Sequence, residues 1–373
     1  MKKVMLVFGT RPEAIKMCPL VLELRRREGF KTVVCVTGQH REMLHDVLDA
    51  FGVVPDHDLS IMDAGQTLFD ITAKVMFGTR NILLSEKPDV VLVHGDTTTT
   101  FAAAVSCFYE GVRIGHVEAG LRTYNIRSPY PEEFNRQAVD IITDFCFAPT
   151  ETSRENLLRG GKSPESVFVT GNTGIDALKT TVRSDFSHKD LAWADGSRLV
   201  MLTAHRRENL GEPMRRTFRA IRKIADEFDD IKIIYPVHMN PRVKRIAEDE
   251  FRRHPRIKLI KPLDVLEFHN FLARSYIILT DSGGIQEEAP SLGKPVVVLR
   301  DTTERPEGVA AGTLKLAGTD ERGVYESIKS LLTDNSLYAA MSKASNPYGD
   351  GFASRRIADI LEENACGLPT ASG

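Results

Sequence analysis

Short apolar runs alternate with longer amphipathic segments along the whole chain. Val4 to Phe8, Val90 to Val93 and Tyr276 to Leu279 are runs of the kind found in strands that are buried on both faces. Between such runs lie segments with a helical period, and Leu68 to Leu84 is a long example. This alternation predicts an α/β fold in which helices cover both faces of parallel sheets.

The alternation falls into two series, which predicts two domains. The chain has 373 residues, more than one hydrophobic core usually organises. We place the first Rossmann-like domain at residues 1–171 and the second at residues 172–351, each built on a parallel sheet. The polar stretch 183–197 is predicted to be a linker or entry loop, and residues 352–364 an amphipathic helix.

Composition argues against several classes of protein. The net charge of -2 disfavours a nucleic-acid surface, which requires a large basic excess. No apolar run reaches the length of a membrane span, and the amino terminus leads directly into a strand rather than a signal peptide. The cysteines show no paired spacing and the histidines no metal-binding spacing. We therefore expect a reduced, cytoplasmic protein without a metal site and without nucleic-acid or membrane partners.

Acidic side chains follow two predicted strands of the first domain. Asp96 and Glu118 each come just past an apolar strand, where open α/β sheets bind their ligands. An N-cap role is the alternative for Asp96. Glu132 and Glu133 open a later helix, where one of the two is expected to complement the helix dipole. We interpret Asp96, Glu118 and Glu132 as clustered carboxylates suited to acid–base chemistry.

Basic side chains stand at two further turns. Arg11 and Lys16 lie where the first helix begins, and cations at that place oppose the helix dipole. His205 follows the first strand of the second domain and is next to Arg206 and Arg207. We interpret both groups as contacts for an anion on a ligand, a diphosphate in the case of His205. An ordinary structural role is the alternative for His205.

The turn Ser282-Gly283-Gly284 joins a buried strand to a short helix. Its glycines let the backbone approach a ligand and leave N–H groups unpaired, and the helix dipole adds positive charge. The turn matches neither G-x-G-x-x-G nor G-x-x-x-x-G-K-[ST]. Glu287 and Glu288 follow within one helical turn, where a carboxylate can accept both hydroxyls of a ribose. Arg305 either reaches this anion site or pairs with Glu304, and a capped turn without a ligand is the alternative for the whole stretch.

Polar strand ends on two such domains suggest a cleft between the two parallel sheets. The second domain would hold an anion and a ribose, while the first supplies clustered acids. A nucleoside diphosphate held on one wall would present its attached group to carboxylates on the other. The chemistry of the residues therefore predicts a nucleotide-sugar enzyme.

Seven motifs run in order through the chain: FGTRPE (8–13), HGDTTT (94–99), HVEAGLR (116–122), HRRE (205–208), DSGGIQEEAP (281–290), RDTTERP (300–306) and NPYGDG (346–351). With these motifs the chain resembles, from Val4 to about Ile360, the bacterial non-hydrolysing UDP-N-acetylglucosamine 2-epimerase family. It implies a GT-B architecture, with UDP in the cleft and the C-terminal helix, residues 352–373, packing back on the first domain. It also implies a homodimer.

The resemblance further implies a reaction, with no metal, nicotinamide or other cofactor. UDP-N-acetylglucosamine and UDP-N-acetylmannosamine would interconvert by elimination of UDP to 2-acetamidoglucal and re-addition, supplying N-acetylmannosamine for cell-surface polysaccharide. The implied catalytic residues are Asp96, Glu118, Glu132 and His205. The implied contacts to the UDP-sugar are Arg11, Lys16, Phe268, Ser282, Gly283, Gly284, Glu288 and Arg305. Candidates for a second, activating substrate site are Gln39, His40 and Arg41.

Two other functions stay open at this stage. A hydrolysing epimerase or a GT-B glycosyltransferase would also use a UDP-sugar, but it would need a committed water or an acceptor site. A non-catalytic nucleotide-sugar sensor belongs to a different class, and it would have no use for three clustered carboxylates.

Overall fold

The computed structural model describes residues 1–38, 41–63 and 65–364, and of Arg41 and Glu42 it describes the backbone only. The chain forms two compact units, each built around its own parallel sheet. The first unit comprises Met1–Thr180 and the segment that begins at Tyr348, and the second comprises Thr181–Pro347. The predicted fold class, two α/β domains with parallel sheets, is confirmed.

The described residues of the first unit form seven parallel strands. They are β1 (Lys2–Phe8), β2 (Phe30–Val36), β3 (His57–Asp58), β4 (Val90–His94), β5 (Arg113–Val117), β6 (Phe145–Ala148) and β7 (Val167–Val169). Their order in the sheet is β3-β2-β1-β4-β5-β6-β7. The helices between them are α1 (Arg11–Arg25), α2 (Arg41–Phe51), α3 (Leu68–Glu86), α4 (Thr98–Tyr109), α5 (Glu132–Ile142), α6 (Glu151–Arg159) and α7 (Thr173–Thr181).

The second unit contains six parallel strands in the described part of the chain. They are β8 (Arg198–Thr203), β9 (Ile231–Pro236), β10 (Ile257–Ile260), β11 (Ile277–Thr280), β12 (Val296–Val298) and β13 (Leu314–Leu316), in the order β10-β9-β8-β11-β12-β13. Its helices are α8 (Lys189–Trp193), α9 (Glu212–Glu227), α10 (Pro241–Phe251), α11 (Val265–Arg274), α12 (Gly283–Glu288), α13 (Pro306–Ala310), α14 (Glu321–Thr333) and α15 (Asn335–Lys343).

Both faces of the second sheet carry a hydrophobic cluster. Along β8, Val200 and Leu202 belong to one cluster while Leu199 and Met201 belong to the other. Successive side chains of a strand point to opposite faces, so a sheet covered on both sides requires apolar residues at every position. This requirement accounts for the unbroken apolar runs. Polar groups are therefore expected at the ends of the strands.

The segment from Tyr348 ends in α16 (Ala353–Asn364), which packs on α1 of the first unit. Lys2 Nζ donates to the carbonyl of Glu362 on α16 at 2.6 Å. Helix α7 also belongs to the first unit, whereas the boundary predicted at residue 171 assigned it to the second domain. The reason is that Asp176 on α7 accepts hydrogen bonds from the first two backbone N–H groups of α16, at 3.1 and 2.8 Å.

Two further expectations need correction. The stretch 183–197 is not a free linker, because it contains α8 and because Phe186 and Trp193 pack against the core of the second unit. The sequence pattern predicts a helix from Ile285 to Leu292, but the helix ends at Glu288 and continues to Leu292 only as a 3-10 turn, since Pro290 has no N–H to donate. Among the described residues, the structure contains no helix that is long and apolar enough to cross a membrane.

Candidate active site

The neighbouring strands β4 and β5 bring Asp96 and Glu118 to the same edge of the first sheet. Glu118 has φ of +65°, a left-handed conformation that costs a residue other than glycine about 1 kcal/mol or more. Glu132 is the first residue of α5, and Arg136 lies one turn further along that helix. We call Asp96, Glu118, Glu132, Lys16 and Arg136 the acidic cluster.

Three side chains converge on one oxygen of Glu118. Lys16 forms an ion pair with Oε2, and both side chains are largely buried. Asn172 donates from Nδ2 to the same oxygen at 2.8 Å, and Nε2 of His94 lies 3.8 Å from it. Burial lowers the pKa of His94 to about 3, so its ring is neutral at physiological pH. One cation, one amide donor and one neutral ring therefore surround Oε2 of Glu118.

Asp96 has a carboxyl group that titrates close to neutrality. Burial raises its pKa to about 6, and the negative charges of Glu118 and Glu132 act in the same direction. Arg136 opposes them, with Nη1 at 3.3 Å from Oδ2 of Asp96. The structure therefore brings the three carboxylates close enough to influence one another. A carboxyl group with such a pKa can accept and release a proton at physiological pH.

The sequence left open which of two adjacent glutamates on α5 serves the helix. Glu133 is completely buried, and its carboxylate accepts from the backbone N–H groups of Thr123 and Tyr124 at 3.0 Å each. Gln137 donates to it as well, at 2.8 Å. Glu132 is different, because its Oε2 is buried and has no hydrogen-bond partner among the described residues. Glu133 thus anchors the loop at Thr123 and Tyr124, while Oε2 of Glu132 has no hydrogen-bond partner among the described residues.

A buried ion-pair network supports the loop that carries Asp96. His116 Nε2 donates to the carbonyl of Gly95 at 2.7 Å, and Nδ1 lies 2.7 Å from Oδ1 of Asp140. Arg122 donates to the other oxygen of Asp140 at 2.5 Å. Burial alone would raise the pKa of Asp140, but His116 and Arg122 hold it below its usual value. His116 is therefore held on both sides of its ring, and it fixes the backbone next to Asp96.

In the second unit, Asp281 organises the turn after β8. It is fully buried, and its Oδ2 accepts from the backbone N–H groups of His205 and Arg206 at 2.8 and 2.9 Å. Nδ1 of His205 lies 3.4 Å from Oδ1, and its ring stacks on that of His238 with centroids 5.4 Å apart. Burial lowers the pKa of His205 despite the charge of Asp281. His205 is therefore a fixed, partly exposed ring that is mainly neutral at pH 7.

The glycine turn, Ser282–Gly284, lies beside two arginines. A Cβ at Gly283 would lie 3.7 Å from a guanidinium nitrogen of Arg305 and 3.8 Å from one of Arg206. Arg305 pairs through Nε with Glu287. Its Nη1 donates to the backbone carbonyl of Glu304 at 3.2 Å, and the carboxylate of Glu304 lies 3.5 Å from Arg206. Backbone N–H groups and two guanidinium groups next to a side-chain-free turn suit an anion.

The remaining predicted residues occupy varied positions. Arg11 is partly exposed at the first residue of α1, and Phe268 is partly buried on α11. Glu288 has Oε2 at 3.6 Å from Nε2 of His269. Gln39 and His40 lie outside the described residues, as does the side chain of Arg41, so the second substrate site stays a prediction.

Sequence reasoning missed Arg136 and Asn172, which hold Asp96 and Glu118. A weak signal existed for Arg136, because it lies four residues after Glu132 and thus on the same face of α5. Asn172 had a signal only as the residue before a helix, a position that many asparagines occupy.

Two parallel-sheet α/β units, one with an acidic cluster and one with a glycine turn beside arginine and histidine, define an enzyme-like protein of the GT-B type. Comparisons with known proteins identify the family. A family model described as UDP-N-acetylglucosamine 2-epimerase matches residues 22–362. The chain therefore belongs to the UDP-N-acetylglucosamine 2-epimerase family, a family of isomerases, and the resemblance drawn from its motifs is confirmed.

Individual relatives agree over nearly the whole length. A UDP-N-acetylglucosamine 2-epimerase of Bacillus subtilis (strain 168) is 59% identical over 359 residues, which cover 96% of this chain and 94% of the relative. An S. aureus protein solved with UDP is 50% identical with a TM-score of 0.90, and each chain covers 100% of the other. The UDP-GlcNAc 2-epimerase of Neisseria meningitidis, solved with UDP-GlcNAc, is 46% identical with a TM-score of 0.88, covering 97% of this chain and 100% of that one.

Proposed function

We propose that this chain interconverts UDP-N-acetylglucosamine and UDP-N-acetylmannosamine by reversible elimination of UDP. The hydrogen at C2 of the sugar is not acidic, since no carbonyl group is attached to that carbon. In the elimination, a carboxylate takes the C2 proton and the C1–O bond breaks, so that UDP leaves with the electron pair and 2-acetamidoglucal remains. A proton is then delivered to C2 from the opposite face, and UDP adds back to C1. The observation that carries this proposal is the acidic cluster.

The acidic cluster supports proton transfer in both directions. Asp96, with a pKa of about 6, is suited to accept or release a proton near neutral pH. Glu132 has an uncommitted oxygen and Glu118 an oriented one, and together they give acid–base groups for two faces of a sugar. We assign proton transfer to these three side chains, without dividing the two faces among them. Arg11 and Lys16 supply positive charge at the same edge of the sheet.

The glycine turn supports the binding of UDP in the second unit. We assign the diphosphate to Ser282, Gly283 and Gly284, with Arg305 and His205 as further contacts. A neutral His205 can donate a hydrogen bond to a phosphate oxygen, and a departing diphosphate is stabilised by donors that are already in place. Glu288 is assigned to the ribose and Phe268 to the uracil. The relatives solved with UDP and UDP-GlcNAc support a nucleotide of this kind.

The test is a proton NMR time course with UDP-N-acetylglucosamine in heavy water. We expect the manno epimer with deuterium at C2 and only traces of UDP and glycal. Stoichiometric free N-acetylmannosamine and UDP would instead identify a hydrolysing epimerase. Tight UDP binding without any exchange would favour a glycosyltransferase that awaits its acceptor, or a sensor.

Substitutions separate the catalytic assignment from binding. Asp96→Asn, Glu118→Gln and Glu132→Gln are each expected to lower kcat at least about a hundredfold, with little change in the UDP dissociation constant. Glu151→Gln, at an exposed acid on α6, is the matched control and should leave kcat unchanged. Near-normal turnover in all three variants would contradict the acid–base assignment.

We also propose a homodimer formed through helices α3 and α4. Phe69, Phe77 and Tyr109 are 87%, 70% and 73% exposed and border an apolar groove of about 690 Å³. The charged side chains that line it, Arg80 and Glu110, pair with each other at 2.7 Å. An exposed apolar surface of this kind is typical of an interface, and a second copy would offer the same neutral surface.

Sedimentation tests this interface. We expect a dimer for the wild type and a monomer for the Phe69→Glu/Phe77→Glu variant. Val54→Glu, at an apolar residue that is 73% exposed elsewhere on the first unit, should remain dimeric. A dimeric double variant would contradict the proposal.

A further inference from the structure

We propose that Asn172 is a positioning residue for Glu118, which orients its carboxylate and keeps a hydrogen-bond donor against it. This inference rests on the proposed function, in which Glu118 takes part in proton transfer. Asn172 is not among the site residues that were assigned from the motifs.

The hydrogen bonds of Asn172 determine the orientation of its amide. Its Oδ1 accepts from the backbone N–H of Gly174 at 2.8 Å, and its Nδ2 donates to Oε2 of Glu118 at 2.8 Å. A backbone N–H only donates and a carboxylate is an acceptor, so the amide cannot be flipped without loss of both bonds. The backbone N–H of Asn172 donates to the carbonyl of Tyr348 at 2.8 Å, which fixes the main chain as well.

Helix capping alone does not explain an asparagine at this position. Asn172 immediately precedes α7 and occupies the N-cap position, where aspartate and serine serve about as well. Aspartate would cap the helix but would set a second carboxylate against Glu118. Serine would also cap the helix, but its side chain is too short to reach Glu118. Among residues of this size, only asparagine both accepts from the helix and donates to the carboxylate.

Gly174 makes room for this arrangement. A Cβ at residue 174 would lie 3.2 Å from Oδ1 of Asn172 and 3.4 Å from Cγ of Lys16, which is tighter than ordinary contact. The absent side chain lets Lys16 run past the start of α7 to its ion pair with Glu118. Asn172 is itself only 4% exposed, so water does not readily replace its donor. The start of α7 and the side chain of Lys16 together hold Glu118.

Two variants that preserve the helix cap test the proposal. Asn172→Asp is expected to lower kcat about a hundredfold at pH 7 and to move a limb of the pH profile of kcat/KM up by about one unit or more, because two facing carboxylates share a proton. Asn172→Ser is expected to lower kcat about tenfold, the equivalent of one charge-assisted hydrogen bond, and to move the limb less than Asn172→Asp does, because it removes a donor without adding a charge. Both should keep a melting temperature close to that of the wild type and the wild-type affinity for UDP.

Asn335→Asp is the matched control, the same change at an exposed residue that begins α15 in the second unit, and it should leave all four measurements unchanged. Folded Asn172→Asp protein with the kcat and pH profile of the wild type would overturn the proposal. If that variant does not fold, Asn172→Ser with normal kcat would overturn it. If Glu118→Gln loses turnover while both Asn172 variants keep the kcat and pH profile of the wild type, only this inference is rejected. If Glu118→Gln keeps normal turnover, the proposed role of Glu118 is rejected and this inference with it.

Discussion

Replacement of Arg136 by methionine should move the pH dependence of the enzyme. Arg136 is 8% exposed, and its guanidinium lies 3.3 Å from Asp96 and 3.0 Å from Glu133. Methionine fills a similar volume but removes the positive charge that opposes the upward pKa shift of Asp96. The limb of the kcat/KM profile that reports Asp96 is therefore expected to move to higher pH.

The expected size of the pKa shift follows from the ion pair between Arg136 and Asp96. An opposite charge at this distance lowers the pKa of a carboxyl group by about 1–3 units. The side chain of Asp96 is 32% exposed, so water screens the pair and we take the lower end of the range. The pKa of Asp96 would then rise from about 6 to about 7, and its ionised fraction at pH 7 would fall from roughly nine tenths to roughly one half. Glu133 keeps its three other hydrogen bonds, so the variant should fold.

Initial rates of epimerisation across pH 5–9 measure the limb. Arg136→Lys keeps the charge and should leave the limb within about 0.3 units of the wild type. Arg154→Met, at a partly exposed arginine on α6, is the control for an arginine-to-methionine change. A folded Arg136→Met protein with an unmoved limb would refute the reasoning. Equal movement in Arg136→Lys would show that shape rather than charge is responsible.

Three further predictions concern stability, binding and thiol chemistry. Because the pKa of Asp96 is raised to about 6, its ionisation lowers the stability of the wild type as pH rises from about 4 to about 6. The melting temperature of Asp96→Asn relative to that of the wild type should therefore be higher at pH 7.5 than at pH 4.5. A difference that stays constant with pH would contradict the raised pKa. Asp281→Asn weakens the acceptor for two backbone N–H groups around His205, so UDP affinity measured by calorimetry should fall about tenfold, and unchanged affinity would argue against a UDP site there. The four described cysteines are buried, and burial raises the pKa of Cys35 to about 12. Ellman's reagent should therefore react with none of these four thiols in the native protein and with all four after unfolding, and reaction of any of them in the native protein would contradict this burial.

The central strands could be predicted from sequence because burial on both faces leaves a simple pattern. The apolar pattern predicts strands at Arg113–Val117 and Ile231–Pro236, and the inner strands β5 and β9 have these bounds. The edge strands β3 and β13 escaped prediction for the opposite reason. His57–Asp58 is two residues long and polar, and Leu314–Leu316 is three residues long, so neither produces a recognisable run.

The carboxylates could be predicted as candidates because the strand ends of a parallel sheet share one edge. Their partners could not, since these come from helices that are remote in sequence. Lys16 meets Glu118 across a separation of 102 residues, and Asn172 meets it across 54. The choice between Glu132 and Glu133 was equally inaccessible, because adjacent helical residues point about 100° apart and only the packing of α5 decides which one is buried.

The charges of the acidic cluster suggest why it contains three carboxylates. Lys16 pairs with Glu118, whereas Arg136 is shared between Asp96 and Glu133, so the two cations do not neutralise the three acids of the cluster. Burial is the largest cause of the raised pKa of Asp96, and the negative charges of both glutamates add to it, so the cluster favours uptake of a proton. The proposed reaction removes one proton from C2 and returns one, and a cluster that exchanges a single proton near pH 6 matches that requirement.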